Sequence, residues 1–109
     1  MPWLLRDGEV LASLDVARSR RDRTKGLLGR DGIPGALWIE PCRSVHTVGL
    51  RFPIDVAFCD ADCVVLRLIT MRRHRVSLPV LKARAVVEAE AGTFARWNLR
   101  VGDQLEVKE

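Results

Sequence analysis

The sequence contains no long apolar run, no tyrosine and only three cysteines in 109 residues. A membrane-spanning helix needs roughly 20 consecutive apolar residues, and no segment approaches that length. The start, which reaches Arg6 and Asp7 after only five residues, is also too short and too soon charged for a secretory signal peptide. Three cysteines cannot all pair within one chain, which fits a reducing compartment. We therefore expect a soluble protein of the cytoplasm that does not associate with membranes.

Familiar catalytic motifs are missing as well. The chain has no Gly-rich phosphate loop, no pair of carboxylates at a recognisable catalytic spacing and no His-x3-His metal motif. Its aromatic residues are three Trp and three Phe, most of which the core requires, so few remain to stack on a base or a sugar. These absences predict a protein without a metal or a cofactor.

The composition that remains is that of one folded domain. Hydrophobic residues make up 48% and charged residues 29% of the chain, with 8 Gly and 5 Pro. These values are ordinary for a globular protein and argue against disorder. A chain of this length can bury roughly two-thirds of its unfolded surface around one core. We predict a single domain over residues 1–109.

The net charge of +4 comes almost wholly from arginine, because lysine occurs only at Lys25, Lys82 and Lys108. Dense arginine runs lie at 18–30 and 72–75. Guanidinium groups bind phosphates well, so the runs permit a hypothesis of weak nucleic-acid binding. Most charge runs are instead solvated faces that aid solubility, and this is the interpretation we favour.

Short apolar segments separated by turn residues predict a mainly β fold. Asp7-Gly8 is a strong hairpin signal, and Ser19 is a suitable N-cap for a short helix. The predicted helix covers about 19–28, and a helical turn lies near 93–97. The predicted strands are 3–5, 9–16, 36–39, 43–48, 54–59, 63–70 and 104–107; in 83–91 the composition favours a helix while the alternation favours a strand. We expect a compact antiparallel β-sandwich or a partly closed barrel.

The stretch 42–59 carries the least ordinary residues. Alternation in 54–59 places Asp55 on the face opposite to Ile54 and Val56. If 43–48 and 54–59 pair as a hairpin, His46 or Thr47 lies opposite Asp55, depending on a register that the sequence leaves open. This pattern predicts a buried polar cluster in which the aspartate orients the histidine.

Two sharper chemical hypotheses start from the cysteines. Cys42, His46, Cys59 and Cys63 have a spacing that could supply four zinc ligands, but small buried hydrophobes are the favoured interpretation, with a Cys59–Cys63 disulfide as a further option. Cys42 could also be a nucleophile with His46 as its base. That arrangement requires the chain to turn between the two residues.

Several motifs in order resemble a known family. They are Lys-Gly-Leu-Leu-Gly-Arg at 25–30, His-Thr at 46–47, Arg-Phe-Pro-Ile-Asp-Val at 51–56, Val-Val-Glu at 86–88, Ala-Gly at 91–92 and Val-Gly-Asp at 101–103. Over about 17–107 the sequence resembles the bacterial and archaeal proteins of domain of unknown function family 192. The resemblance implies a single β-rich domain with 83–91 as a strand, and it implies no established activity.

The matches to the family pattern carry no assigned roles. They are Gly26, Leu27, Arg30, Asp55, Glu88, Gly92 and Asp103. Cys59 stands where the family usually has an aliphatic residue, and Cys63 where it often has glycine. Arg30 and Glu88 could line a pocket or form an internal ion pair between helix and sheet, and we favour the ion pair.

Together these observations favour a non-enzymatic binding or accessory module that acts as a monomer on a small polar or anionic ligand or a protein partner. The candidate ligand-binding residues are His46, Thr47, Arg51, Asp55, Arg30 and Glu88. A small hydrolase-like enzyme that uses Cys42 or His46 is the alternative from another class. Nucleic-acid binding through the arginine runs is the third.

Overall fold

Seven strands form one mixed sheet in the computed structural model, which describes all of residues 1–109. The elements in chain order are β1 (Trp3–Arg6), β2 (Glu9–Ala17), α1 (Arg20–Lys25), β3 (Ala36–Ile39), β4 (Ile54–Cys59), β5 (Val65–Met71), β6 (Ala85–Glu90), α2 (Thr93–Arg96) and β7 (Leu105–Lys108). The strand order across the sheet is β5-β4-β6-β3-β2-β1-β7. The mainly β prediction is therefore confirmed.

The first hairpin forms as its turn residues predict. Asp7 and Gly8 have φ values of 53° and 79°, and two positive φ angles in succession define the tight turn whose twist matches that of paired strands. β1 pairs antiparallel with β2 on one side and with β7 on the other. β1 therefore lies in the sheet between β2 and the last strand, β7.

One strand pair departs from the predicted antiparallel arrangement. β2 and β3 run parallel, with Leu14 opposite Ala36 and Ala17 opposite Ile39. The connection between them, residues 18–35, contains α1, and a crossover of this length allows the chain to return to the same end of the sheet. Ser19 accepts a hydrogen bond from the amide of Asp22 as the predicted N-cap. No helix in the structure combines the length and the apolarity that crossing a membrane requires.

The edges of the sheet meet at one end only, so the sheet is not closed into a barrel. A bridge pairs Val64 with Gln104, and the amides of Val65 and Leu105 donate to the carbonyls of Asp103 and Cys63 at 2.8 and 2.9 Å. Beyond Val65 the outer edge of β5 makes no further backbone hydrogen bond. The sheet curls strongly without closing.

The ambiguous segment 83–91 is a strand. β6 lies in the middle of the sheet between β3 and β4, and Ala85 through Ala89 are all buried. Pairing on both sides outweighs the helical preference of Ala and Glu, because strand formation depends strongly on neighbouring strands.

The predicted strand at 43–48 is wrong. This segment forms an irregular ribbon with residues 75–80, in which only His46 and Val76 make a regular bridge. The amide of Thr47 donates to the carbonyl of Arg75 at 2.8 Å, and the amide of Ser77 donates to the carbonyl of Val45 at 2.8 Å. The partner of 43–48 is therefore the arginine-rich connection after β5, and not β4.

Both faces of the sheet are covered, each by its own hydrophobic cluster. The side that carries Ala57 and Cys59, here called the α2 face, packs against Phe94 and Leu99. The side that carries Ile54, Val56 and Phe58, here called the α1 face, packs against residues that follow α1 and against the 45–50 loop. The alternation predicted for β4 is confirmed, and it decides which polar side chains can meet.

Candidate functional site

Asp55 is a structural residue on the α2 face. Its Oδ1 accepts a hydrogen bond from the Thr70 hydroxyl at 2.7 Å, and its Oδ2 accepts from the amides of Gly92 and Phe94 at 2.9 and 3.1 Å. The carboxylate therefore joins β4 to β5 and fixes the start of α2. All of these partners lie away from His46 and Thr47, so the predicted cluster of His46, Thr47 and Asp55 does not form.

Thr47 also holds the fold together. It is fully buried, its hydroxyl donates to the carbonyl of Arg72 at 2.6 Å, and the amide of Arg75 donates to that hydroxyl at 2.9 Å. Its neighbour His46 is exposed. The strand register that would have brought these side chains to Asp55 fails because 43–48 pairs with 75–80 instead of β4.

Arg30 and Arg51 bind carboxylates at the surface. Arg30 Nη1 lies 3.0 Å from Asp15 Oδ2, and Arg51 Nη1 lies 2.8 Å from Asp31 Oδ1. The predicted ion pair between Arg30 and Glu88 is therefore wrong, because Arg30 reaches across to β2. Both pairs are partly exposed and contribute little to stability.

Glu88 is the residue that the structure leaves without a partner. It is only 4% exposed, its carboxyl accepts no hydrogen bond from the protein, and no cation pairs with it. It lies on the α1 face, opposite Val56 on β4 and Leu37 on β3. There it lines a pocket of about 280 Å³ between the sheet, α1 and the 42–50 loop.

The wall of this pocket brings three of the candidate residues together. Cys42 and His46 line it together with Glu88, whereas Thr47, Arg51, Asp55 and Arg30 do not. The thiol of Cys42 donates to the carbonyl of Ser44 at 3.2 Å. The chain does turn between Cys42 and His46, as a joint site requires.

Residues of α1 and its C-terminal cap complete the pocket. Arg23, Gly26 and Leu27 line it, and Gly26 adopts a φ of 49° and a ψ of −124° that side chains disfavour. A Cβ at position 26 would lie 3.8 Å from Glu88 Oε1, in van der Waals contact with the carboxyl. The sequence pattern predicts that the arginines of α1 are exposed to solvent. Only the Lys-Gly-Leu-Leu-Gly-Arg motif distinguishes this region in the sequence.

Arg23 carries the second unpaired polar group of the pocket. Its Nη1 donates to the carbonyl of Pro41 at 3.2 Å, but its Nε is buried without a hydrogen-bond partner. It is the only side-chain nitrogen or oxygen in the chain that is sealed from solvent without a partner, whereas the unpaired oxygens of Glu88 are open to the pocket. Unsatisfied buried polar groups are rare in folded proteins and often mark functional positions.

Burial sets the protonation of the pocket. It raises the pKa of Glu88 from 4.5 to about 7, so the carboxyl exists in both forms near neutral pH. Burial is also the main cause that raises the pKa of the Cys42 thiol, and the neighbouring negative charge of Glu88 raises it further. Cys42 is therefore a neutral thiol under the conditions in which Glu88 is partly ionised.

The candidate zinc ligands are not assembled. Cys42 and His46 lie on the α1 face, whereas Cys59 is buried within the cluster of the α2 face. The structure contains no group of three or more His, Cys, Asp or Glu side chains that could hold a metal ion. All three cysteines are free thiols, so Cys59 and Cys63 are not bridged here.

The pocket combines an apolar lining with a small number of polar groups. Its apolar side chains are Leu27, Leu28, Ile39, Val45 and Leu50. Glu88 can accept a hydrogen bond when ionised and donate one when protonated. Such a site can bind and orient a small molecule and can exchange a proton with it near neutral pH.

Two solved structures share the fold. A solved protein of unknown function from Novosphingobium aromaticivorans superposes with a TM-score of 0.80 at 21% identity, covering 96% of this chain and 83% of that one. A candidate transcription regulator from Sinorhizobium meliloti superposes with a TM-score of 0.82 at 19% identity, covering 97% and 91%. At these identities the likeness shows the fold alone.

Sequence comparison identifies the family. A UPF0127 protein of Pyrococcus furiosus is 33% identical over 63 residues, which cover 58% of this chain and 54% of that protein, so the match spans about half the length of this curated relative. The model of the uncharacterised family DUF192 matches residues 4–107. The chain belongs to the DUF192 family.

Proposed function

We propose that this protein is a binding module for a small polar ligand, which it holds in the Glu88 pocket by a hydrogen bond to the buried carboxyl. The observation that carries the proposal is a glutamate only 4% exposed whose carboxyl faces a pocket and has no partner within the protein. Burying such a group without a hydrogen bond costs stability, and a protein that keeps it gains the ability to bind a donor there.

The carboxyl of Glu88 and the cationic side chains beside it define the chemistry of the ligand. Glu88 can bind a hydrogen-bond donor of the ligand, such as a hydroxyl or an amine. Arg23 and Lys25, which line the wall, can bind an acceptor or an anionic group. The apolar lining suits a short carbon skeleton between them. Small hydroxy acids and amino acids combine these features, in agreement with the polar or anionic ligand that the sequence predicts.

The test is a backbone amide NMR titration against separate pools of hydroxy acids, amino acids, sugars and simple amines near pH 7. We expect one pool to shift the amides of Gly26, Leu27, Cys42 and Glu88 together. The same titration on Glu88→Gln should show binding weakened by about tenfold or more, because the amide cannot become a charged acceptor.

Glu106→Gln is the matched control, since Glu106 is an exposed glutamate on β7 with no side-chain hydrogen bond to the protein. It should bind the active pool as the unaltered protein does. The proposal fails if no pool shifts the pocket amides, or if Glu88→Gln and the unaltered protein bind equally well.

A small enzyme is the second candidate, because Cys42, His46 and Glu88 line one pocket. A nucleophilic cysteine needs a thiolate, whereas burial and Glu88 raise the pKa of Cys42. We expect Cys42 to alkylate with iodoacetamide near pH 7 more slowly than a free thiol does, and somewhat faster in Glu88→Gln. Alkylation of the unaltered protein faster than a free thiol would favour the enzyme.

A further inference from the structure

A groove of about 460 Å³ lies along the free edge of the sheet, between β5 and the ribbon residues 75–78. On the β5 side its lining includes Arg67, Ile69 and Met71, which alternate along the strand. On the opposite side it includes Val76 and Leu78, whose side chains are 75% and 74% exposed. The groove shares no lining residue with the Glu88 pocket.

The charge of the groove is of one sign. Arg67, Arg72 and Arg75 line it, no acidic side chain does, and none of the three arginines pairs with a carboxylate elsewhere in the protein. By contrast, Arg18 and Arg30 of the other arginine run bind carboxylates. Three uncompensated guanidinium groups around one groove attract an anionic partner.

The backbone of β5 offers a second kind of contact. β5 pairs with β4 on one side only, and the 66–71 stretch makes no backbone hydrogen bond on the other side. An unpaired strand edge accepts another extended chain through main-chain hydrogen bonds, while its alternating side chains select the partner.

The opposite wall is held in place by the fold. The amide of Ser77 donates to the carbonyl of Val45, and the amide of Val80 donates to the carbonyl of Arg43 at 2.9 Å. The buried Thr47 hydroxyl binds both Arg72 and Arg75 through their backbone. The groove is therefore formed before a partner arrives, which lowers the entropic cost of binding.

We propose that this groove binds an extended acidic segment of a partner protein, which adds to β5 as a strand and places its carboxylates against Arg67, Arg72 and Arg75. Because Arg67 and Ile69 share one face of β5, the carboxylates of the segment occupy that face, and the apolar side chains that alternate with them lie on the other face, beside Leu68. The site makes the protein an adaptor for an acidic peptide in addition to any ligand held at Glu88.

A nucleic acid fits the groove less well than a peptide. The only aromatic side chain that lines the groove is Phe58, which is fully buried, so no ring is available to stack on a base. Phosphate binding also makes no use of the exposed Val76 and Leu78 or of the free strand edge. A free strand edge beside three arginines matches an extended acidic chain better than a nucleic acid.

The experiment uses fluorescence anisotropy with a fluorescein-labelled peptide of alternating glutamate and valine. We expect saturable binding that weakens with salt, together with amide shifts and slowed hydrogen exchange in the 66–71 stretch. The double variant Arg67→Glu, Arg75→Glu should bind at least about tenfold more weakly. Arg21→Glu, which reverses an exposed charge on α1 that does not line the groove, should bind as the unaltered protein does.

Three further probes separate the outcomes. A peptide of alternating lysine and valine should not bind, and a peptide with the same glutamates and valines in two blocks should bind more weakly than the alternating one. Equal binding of the block peptide would contradict strand addition. If single-stranded oligothymidylate binds more tightly than the peptide and leaves the NMR shifts of the β5 amides unchanged, the partner is a nucleic acid and not a peptide. If no probe binds, the proposal is overturned.

Discussion

Asp55 and Glu88 lie on adjacent central strands and point to opposite faces of the sheet. Glu88 stands opposite Val56, the next residue after Asp55, so the alternation of β4 separates the two carboxyls by the thickness of the sheet. Asp55 accepts three hydrogen bonds and Glu88 accepts none. A satisfied buried carboxylate stabilises the fold, whereas an unsatisfied one destabilises it and remains available to a ligand.

Replacing Asp55 should lower stability without touching the pocket. In Asp55→Asn the amide nitrogen or the single oxygen must face the amides of Gly92 and Phe94, which now donate to Oδ2. We expect a loss of about 2 to 3 kcal/mol in the free energy of unfolding, measured by urea denaturation. Thr70→Val, which removes one donor, should cost about 1 kcal/mol. A change in Asp55→Asn below about 0.5 kcal/mol would contradict the structural role.

Glu88 should make the protein less stable as the pH rises. Its pKa of about 7 in the folded protein exceeds its ordinary value of 4.5, so between these values the folded state holds the proton more tightly than the unfolded state does. Stability is therefore highest below the ordinary pKa and falls as the pH rises toward 7. The raised pKa corresponds to a loss on the order of 3 kcal/mol by the conversion of 1.36 kcal/mol per unit.

Glu88→Gln isolates this effect because it cannot ionise. In urea unfolding at about pH 5 and pH 8, the free energy of unfolding of the variant should rise relative to that of the unaltered protein as the pH rises. At the higher pH the variant should be the more stable of the two. Glu106→Gln, altered at an exposed position, is the control that keeps the original pH dependence. If Glu88→Gln and the unaltered protein follow parallel curves, Glu88 does not titrate in this range.

The sequence predicts the positions of the strands better than it predicts which segments pair with each other. Alternation in 54–59 predicts which residues share a face, and the Asp7-Gly8 turn predicts the first hairpin, because both signals are local. The partner of 43–48 depends on residues 75–80, and the parallel pairing of β2 with β3 depends on a crossover. Neither pairing produces a recognisable pattern in the sequence of the segments that form it.

The same limit applies to the candidate site. Glu88 stands out in the sequence through its match to the family pattern, and Cys42 and His46 stand out by residue type. Arg23 resembles its exposed neighbours in α1, and only the tertiary fold shows that its side chain is partly buried at the pocket. Asp55 drew attention for the same reason as Glu88, and its partners Gly92 and Phe94 decide that it is structural.

Asp103 should have the opposite pH dependence to Glu88. Its Oδ2 accepts from the amide of Arg100 at 2.9 Å and from Arg6 Nη1 at 3.0 Å, and these bonds lower its pKa below the ordinary value of 3.8. The stability that they provide is present above that value and is lost as the pH falls through the lower pKa of the folded state. Asp103→Asn should therefore be destabilised at neutral pH, and the difference should shrink in acid.

Thermal unfolding at about pH 7 and pH 3 measures this difference. The control is Asp31→Asn, which breaks an ion pair whose aspartate side chain is 90% exposed and should change stability by less than about 1 kcal/mol. A loss in Asp103→Asn that is equally large at both pH values would show that the carboxylate charge makes no contribution.

Gly26 tests whether access to Glu88 depends on the missing side chain. Gly26→Ala should lower stability by about 1 to 3 kcal/mol, because φ of 49° with ψ of −124° is strained for alanine. The new methyl group would lie 3.8 Å from Glu88 Oε1 and exclude water there, so the pKa of Glu88 should rise above about 7. Gly29→Ala is the matched control, since Gly29 has a φ of 82° with no atom near its Cβ position. Gly29→Ala should lower stability and leave the pKa of Glu88, measured by ¹³C NMR, unchanged. If the pKa of Glu88 is the same in both variants, Gly26 is needed only for the backbone conformation of the turn.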